Sequence, residues 1–270
     1  MFNISMKKKI NNKNIFKYFG LIFAVYLFVS LLIVPEISKV NAEVVFGAHR
    51  GASVEFEENT MEAFEQALDN PEYKFVEFDI QYTKDKKIVV FHENNMVKIP
   101  KKFVDTSNMT YNELNEEFEF EIAQYGEVVS LLAGKKPLDI EIKSHGYLEQ
   151  DKELVDFVIQ DCKNRGILDQ IMISAISGDV IEYIEEKYPE IKTGKIYWVT
   201  FASIMPITSI CEEIYDTPAD YVLLHGYNLY NYETLKDCKP EDTGLIFWYF
   251  TDEVYIINDN QNYEFWENSQ

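Results

Sequence analysis

Apolar residues along this chain fall into two alternating rhythms. Short runs rich in β-branched and aromatic side chains recur at residues 44–48, 74–80, 87–92, 137–143, 170–175, 193–198, 220–225 and 244–249, and each reads as a strand. Between them, residues 60–68, 111–115, 154–164, 179–186, 207–214 and 232–237 place their apolar positions at helical spacing. Such alternation predicts parallel βαβ units. Eight strands are what a (β/α)8 TIM-type barrel needs, and about 250 residues is ordinary for that fold. Asn59-Thr60 offers caps for the first helix. Pro71, Pro189 and Pro218 each precede a strand, where a helix must already have stopped. The longest interval, residues 94–136, has no strand run; it reads either as an insertion that builds specificity or as a solvated loop with short helices.

The polar residues that close these runs carry the chemistry. The first run ends on His49-Arg50-Gly51, the second contains Glu77-Phe78-Asp79, the third ends on His92-Glu93 and the fourth on Glu141-Ile142-Lys143. In a β/α barrel the C-terminal strand ends converge on one face, where an active site sits. On this reading His49 and His92 end adjacent barrel strands. Glu77 and Asp79, two positions apart, point to one face of their strand, which in a barrel is the interior. Interior carboxylates need a cation, and adding Glu141 gives three hard oxygen ligands suited to one divalent ion, Ca2+ or Mg2+. The alternative is that these acids only pair with Arg50 and Lys143.

The N-terminus is a separate matter. Residues 1–17 are basic, residues 18–34 carry no charge, and Val40-Asn41-Ala42 fits a signal-peptidase site. The chain thus divides into a signal peptide or membrane anchor, residues 1–42, and a barrel domain, residues 43–270. Cleavage would leave the protein secreted; an uncleaved segment would anchor it in the membrane through residues 18–34. Both place the domain outside the cytoplasm, because lysines flank the inner end.

Charge then narrows the partners. Residues 1–42 hold six lysines and one acid, so the remaining 19 basic and 45 acidic side chains give residues 43–270 a formal charge of −26. So acidic a body repels polyanions, and no nucleic acid is expected as partner. Cys162, Cys211 and Cys238 show no zinc-ligand spacing. Cys162, in a helical segment, reads as a buried thiol; a Cys211–Cys238 bridge stays open, and no chemistry is assigned to any of the three.

These motifs resemble those of the glycerophosphodiester phosphodiesterase family. The resemblance rests on His49-Arg50-Gly51, Glu58-Asn59-Thr60 with Ala63-Phe64, Val76-Glu77-Phe78-Asp79, Thr83-Lys84-Asp85, Val89-Val90-Phe91-His92 and Leu138-Asp139-Ile140-Glu141-Ile142-Lys143, all in the family's order. It covers roughly residues 44–250. It implies a β/α barrel, a divalent cation, and hydrolysis of small glycerophosphodiesters, or of cell-wall glycerol-phosphate polymers, to glycerol 3-phosphate and an alcohol. Departures occur at Glu57, where the family has proline, at Glu93, where it has aspartate, and again late in the chain. Trp248-Tyr249-Phe250-Thr251 and Ile256-Ile257-Asn258-Asp259 only echo the family's elements, with no room between them for a helix, so irregular C-terminal closure is expected.

Roles follow from what a phosphodiester requires: one group to take a proton, another to give one, and cations to offset developing charge. His49 and His92 are the candidate acid and base, in unassigned order. Arg50 and Lys143 would contact phosphate oxygens, and Glu58 would orient Arg50, cap the first helix or touch the metal shell. Trp248, with Tyr227, Tyr230 and Tyr249, would form an apolar wall for the glycerol or alkyl part, or pack the core. His145, in a turn, reads as solvated, and His225 as a pocket-lining residue without a catalytic part. Rival functions are a phospholipase-type phosphodiesterase acting on lysophospholipids and a non-catalytic binding protein that kept the barrel.

Overall fold

A computed structural model describes residues 43–92, 104–197, 207–249, 253–258 and 264–267, all within one compact unit spanning Asn41–Gln270. The N-terminal run at 18–34, the cleavage site after Ala42 and Glu93 lie outside the described residues. Among the described residues, no helix is long and apolar enough to cross a membrane.

The strands are β1 (Glu43–His49), β2 (Tyr73–Tyr82), β3 (Ile88–Val90), β4 (Leu138–Ile142), β5 (Ile171–Ala175), β6 (Lys192–Tyr197), β7 (Tyr221–His225), β8 (Gly244–Trp248) and β9 (Glu253–Asn258). The helices are α1 (Met61–Asp69), α2 (Tyr111–Glu116), α3 (Tyr125–Leu132), α4 (Leu148–Arg165), α5 (Gly178–Lys187), α6 (Ile207–Ile214), α7 (Tyr232–Cys238) and α8 (Glu264–Glu267). Seven strands, β1, β2 and β4 to β8, run parallel around a barrel, each hydrogen-bonded to the next. The ring is completed by β9, antiparallel to both β8 and β1. This is the expected irregular closure, and chain length explains it. A parallel return needs a crossover of about a dozen residues or more. Only residues 249–252 separate β8 from β9, so the chain folds straight back as a hairpin.

One expected stave is not a stave. The run at 87–92 forms β3, a short antiparallel arm on the far end of β2, with Ile80 opposite Val90 and Tyr82 opposite Ile88. The five residues between the two strands, 83–87, suit a hairpin and exclude a parallel crossover. His92 therefore does not end a barrel strand next to His49; it follows the hairpin arm as that arm returns over β2. The insertion beyond it packs on β3 through Val89, Phe91, Val104, Leu114 and Ile122, a satellite core outside the barrel. Helix α3, in the same interval, has no counterpart among the expected helices.

Alternation along the staves divides the barrel interior by height. On β2 the interior face reads Phe75, Glu77, Asp79, so apolar packing gives way to carboxylates toward the C-terminal end. Below, the Trp266 ring of α8 lies 4.4 Å from Phe75 and 5.7 Å from Tyr221, and its indole N–H donates to the Tyr221 hydroxyl at 3.1 Å. Burying rings of this kind is worth about 1.5–3 kcal/mol each. Gly47 makes room for the Phe75 ring, since a Cβ there would come within 2.2 Å of it. The floor is thus filled from the N-terminal side, leaving the upper end to polar groups. In the outer layer, Cys211 of α6 and Cys238 of α7 are joined by a disulfide, settling the pairing left open above, and Cys162 is a buried thiol.

Candidate active site

Strand β1 ends on His49, and the next two residues adopt left-handed backbone, Arg50 at φ +61° and Gly51 at φ +77°. For arginine that conformation costs about 1 kcal/mol or more. It is held by the Arg50 amide, which donates to both the backbone carbonyl (3.0 Å) and the carboxylate Oε2 (2.8 Å) of Glu77. Gly51 cannot carry a side chain, because a Cβ would meet the Ala63 backbone at 2.8 Å. The turn therefore seats His49 and Arg50 against the upper end of β2 with α1 packed behind.

Asp79 sits at the centre, fully buried. Its Oδ2 accepts from the side-chain amide of Asn59 at 2.8 Å and pairs with Arg50 Nε at 3.1 Å, while Oδ1 pairs with Lys143 Nζ at 2.8 Å. Lys143 also pairs with Glu141. Arg50 reaches Glu58 with Nη1 at 3.4 Å, so Glu58 lies where it can orient the guanidinium. His49 Nε2 stands 3.8 Å from Glu77 Oε2. Ligand oxygens of Glu77, Asp79 and Glu141 lie within 4.8 Å of one another. Glu77 Oε1 is buried with no hydrogen-bond partner among the described residues. Three buried hard-oxygen donors, one of them orphaned, fit a divalent cation of the Ca2+ or Mg2+ type and give zinc no nitrogen or sulfur ligand.

These groups open onto one small cavity of about 30 Å³, shared by His49, Arg50, Glu77, His92, Glu141 and Lys143. Its opposite side is apolar: Ile196, Leu223, Trp248 and Val254. Trp248 is wedged between histidines, with ring centres 6.0 Å from His49 and 4.9 Å from His225. The cavity thus has a charged half from β1, β2 and β4 and an apolar half from β6 to β9.

Several residues stand elsewhere than the sequence suggested. His225 meets Trp248 edge-on from behind and is not among the cavity's lining residues. Tyr230 is half exposed, and the Tyr249 hydroxyl bonds to the Gly226 carbonyl, so neither shares the apolar wall. His145 is not a solvated turn residue: its ring is 18% exposed and touches Thr106. Asn59 does not cap α1; Thr60 does, accepting from the Ala63 amide at 3.3 Å. Asn59 instead adopts left-handed backbone and holds Asp79. Asp139 and Ser174, which are not among the sequence candidates, also line the cavity, with the Ser174 hydroxyl donating to Asp139 at 2.6 Å. Counting back two positions from Glu141 would have found Asp139.

The charges respond to burial and to each other. Burial alone would raise Asp79, but Lys143 and Arg50 overcome it and hold this carboxyl well below the usual range. Burial, reinforced by the Asp79 charge, pushes Glu77 well up. Burial raises Glu141 to about 7 against the pull of Lys143, and Asp139 to about 8 against its bond from Ser174. His92, buried and close to Lys143, is driven far below the ordinary imidazole range.

A pH dependence of stability follows for the metal-free protein. Glu141 and Asp139 hold their protons to about 7 and about 8 in the folded state, against about 4 when unfolded. Stability from this source is complete below about pH 4 and is lost as pH rises through 7 to 8. Asp79, shifted the opposite way, contributes losses only in acid, outside that window, while the depressed His92 and His225 cost stability as pH falls below about 6.5 and offset only part of the gain. In chelator, Tm should therefore rise as pH is lowered from 8 to 6, and a saturating hard cation should remove the gain. A Tm in chelator that is flat or falls over this window counts against crowded, uncompensated carboxylates.

Comparison with known proteins places this geometry. The Glycerophosphoryl diester phosphodiesterase family profile matches residues 49–203. This chain belongs to that family. An uncharacterized protein, YqiK, from Bacillus subtilis is 30% identical over 154 residues, which is 54% of this chain and 63% of that protein. A glycerophosphodiester phosphodiesterase from Caldanaerobacter subterraneus is 29% identical over 161 residues, 56% of this chain and 65% of that one. The chain thus spans just under two thirds of these relatives' lengths. Among solved structures, the glycerophosphodiester phosphodiesterase of Thermotoga maritima is similar at a TM-score of 0.56 and 24% identity, over 75% of this chain and 84% of that one. That likeness concerns the fold. Within the family match lie His49, Arg50, Glu58, Glu77, Asp79, His92, Glu141 and Lys143; Trp248 lies beyond it.

Proposed function

We propose that this chain hydrolyses glycerophosphodiesters to glycerol 3-phosphate and an alcohol, with one Ca2+ or Mg2+ held by Glu77, Asp79 and Glu141. The observation that carries this reading is the meeting of His49, His92, Arg50, Lys143, Glu77 and Glu141 at one small cavity, with Asp79 completing the buried carboxylate cluster beside it. A bound divalent cation there would offset charge developing on phosphate oxygens. Arg50 and Lys143, already fixed on Asp79, keep donors toward the same space and hold the phosphodiester anion. His49 and His92 move the protons, one accepting from the attacking oxygen and the other donating to the leaving alkoxide. Trp248, with Ile196 and Leu223, receives the carbon skeleton and keeps water from that side.

The same reading places the protein outside the cytoplasm. Its basic start, uncharged run and Val40-Asn41-Ala42 support export, and the Cys211–Cys238 disulfide suits an oxidising compartment. One experiment addresses activity and export together. Protein recovered outside the producing cell should begin at Glu43 by mass spectrometry and release glycerol 3-phosphate from a panel of choline, ethanolamine, glycerol and polymeric glycerol-phosphate esters. Chelator should stop release. An intact terminus in the membrane fraction selects the anchor, and no release from any ester despite bound metal moves the reading to a binding protein.

A further inference from the structure

We propose that Gln81, oriented by Thr106 and His145, is a positioning residue for His92; this rests on the phosphodiesterase reading above. His92 lies two residues beyond the last ladder pair of β2 and β3, Ile80 with Val90. One backbone bond continues past that pair, from the Phe91 amide to the Asp79 carbonyl at 3.0 Å. The Phe91 carbonyl belongs to the peptide that joins it to His92. It accepts from the side-chain amide of Gln81, with Nε2 at 2.6 Å. Strand β2 therefore grips the residue before His92 at both ends, by Asp79 on the amide and Gln81 on the carbonyl. Because Asp79 is also a candidate metal ligand, this two-point grip registers His92 against the metal site.

Gln81 is itself held. It is fully buried, and its Oε1 accepts from the Thr106 hydroxyl at 2.5 Å, which turns Nε2 toward Phe91. Thr106, also buried, sits in a short 3-10 turn, Thr106–Asn108, near the start of the insertion's described residues. With its proton given to Gln81, the Thr106 oxygen accepts from His145 Nε2 at 3.2 Å. The hydrogen bonds thus run in one direction, from His145 to Thr106 to Gln81 to the Phe91 carbonyl. They join the loop after β4, the insertion and the peptide that carries His92. A 1 Å misplacement of a catalytic group can cost up to about 10²-fold in rate, which bounds the effect such a frame controls.

The test uses the full chain with saturating Ca2+ and glycerophosphocholine as substrate. Gln81→Met and Thr106→Val should each lower kcat about 10-fold or more, with KM within about threefold and the Ca2+-induced rise in Tm retained. Thr106→Ser, which keeps the hydroxyl, should restore nearly the full rate. Added to His92→Ala, Gln81→Met should cost nothing further, because its effect passes through that imidazole. Multiplicative losses in that double mutant, or unchanged kcat in both Gln81→Met and Thr106→Val, overturn the positioning role. Should Gln81→Met not fold, the contrast of Thr106→Val with Thr106→Ser decides the matter, since valine matches threonine in shape. Failure of the parent reading looks different: the unmutated protein is inactive, or His92→Ala is as fast as the unmutated protein, and the inference falls with it.

Discussion

His49→Ala and His92→Ala should each lower kcat about 10²-fold or more while the fold and metal affinity are kept. That is about 2.7 kcal/mol of transition-state stabilisation per imidazole. Both rings line one cavity with Arg50, Lys143 and two of the three candidate metal ligands, Glu77 and Glu141, so they can flank a single phosphate. Neither belongs to the three-carboxylate cluster: His49 stands 3.8 Å from Glu77, and the peptide before His92 is held through the Phe91 backbone. Truncation should therefore leave the cation-dependent rise in Tm in place. The double mutant should be far less than multiplicatively worse, because the two act as one proton-transfer unit. A nitrophenyl leaving group, which needs no proton, should partly rescue whichever histidine serves as acid and leave the other defect unchanged. Near-normal rates in both single mutants refute the mechanism.

Asp79→Ala should abolish turnover and the metal-dependent rise in Tm together. Asp79 is the shared partner of Asn59, Arg50 and Lys143, and its removal leaves two partly buried cations without their central anion. Breaking a buried ion pair from one side costs about 3–5 kcal/mol, so this variant is also expected to lose stability. Asp79→Asn separates the effects, since it keeps the shape and the contact with Asn59 while weakening cation binding. Calorimetric titration with Ca2+ and Mg2+ reads the loss directly. Turnover that survives both chelator and Asp79→Asn would make these carboxylates structural.

Much of this was legible in the residue pattern, because strand geometry is local. Period-two alternation puts Glu77 and Asp79 on one face, and apolar runs with helices between them announce a parallel barrel. Motif order carried the family likeness and the same site residues. The short gap after Trp248 foretold irregular closure, since no helix fits in it.

What the pattern could not decide was which strand completes the ring. The runs at 88–90 and 253–258 are both short and apolar, and only pairing makes one an arm on β2 and the other the stave between β8 and β1. Nor could it show that Asn59 grips Asp79, that Asp139 and Ser174 share the cavity wall, that Cys211 bonds Cys238, or that Gln81 holds the peptide before His92. Alternation and helical period fix where a side chain points on its own element. Partners 10 to 35 positions apart meet only when loop lengths, register and ring closure bring their elements together, and those are properties of the whole packed chain.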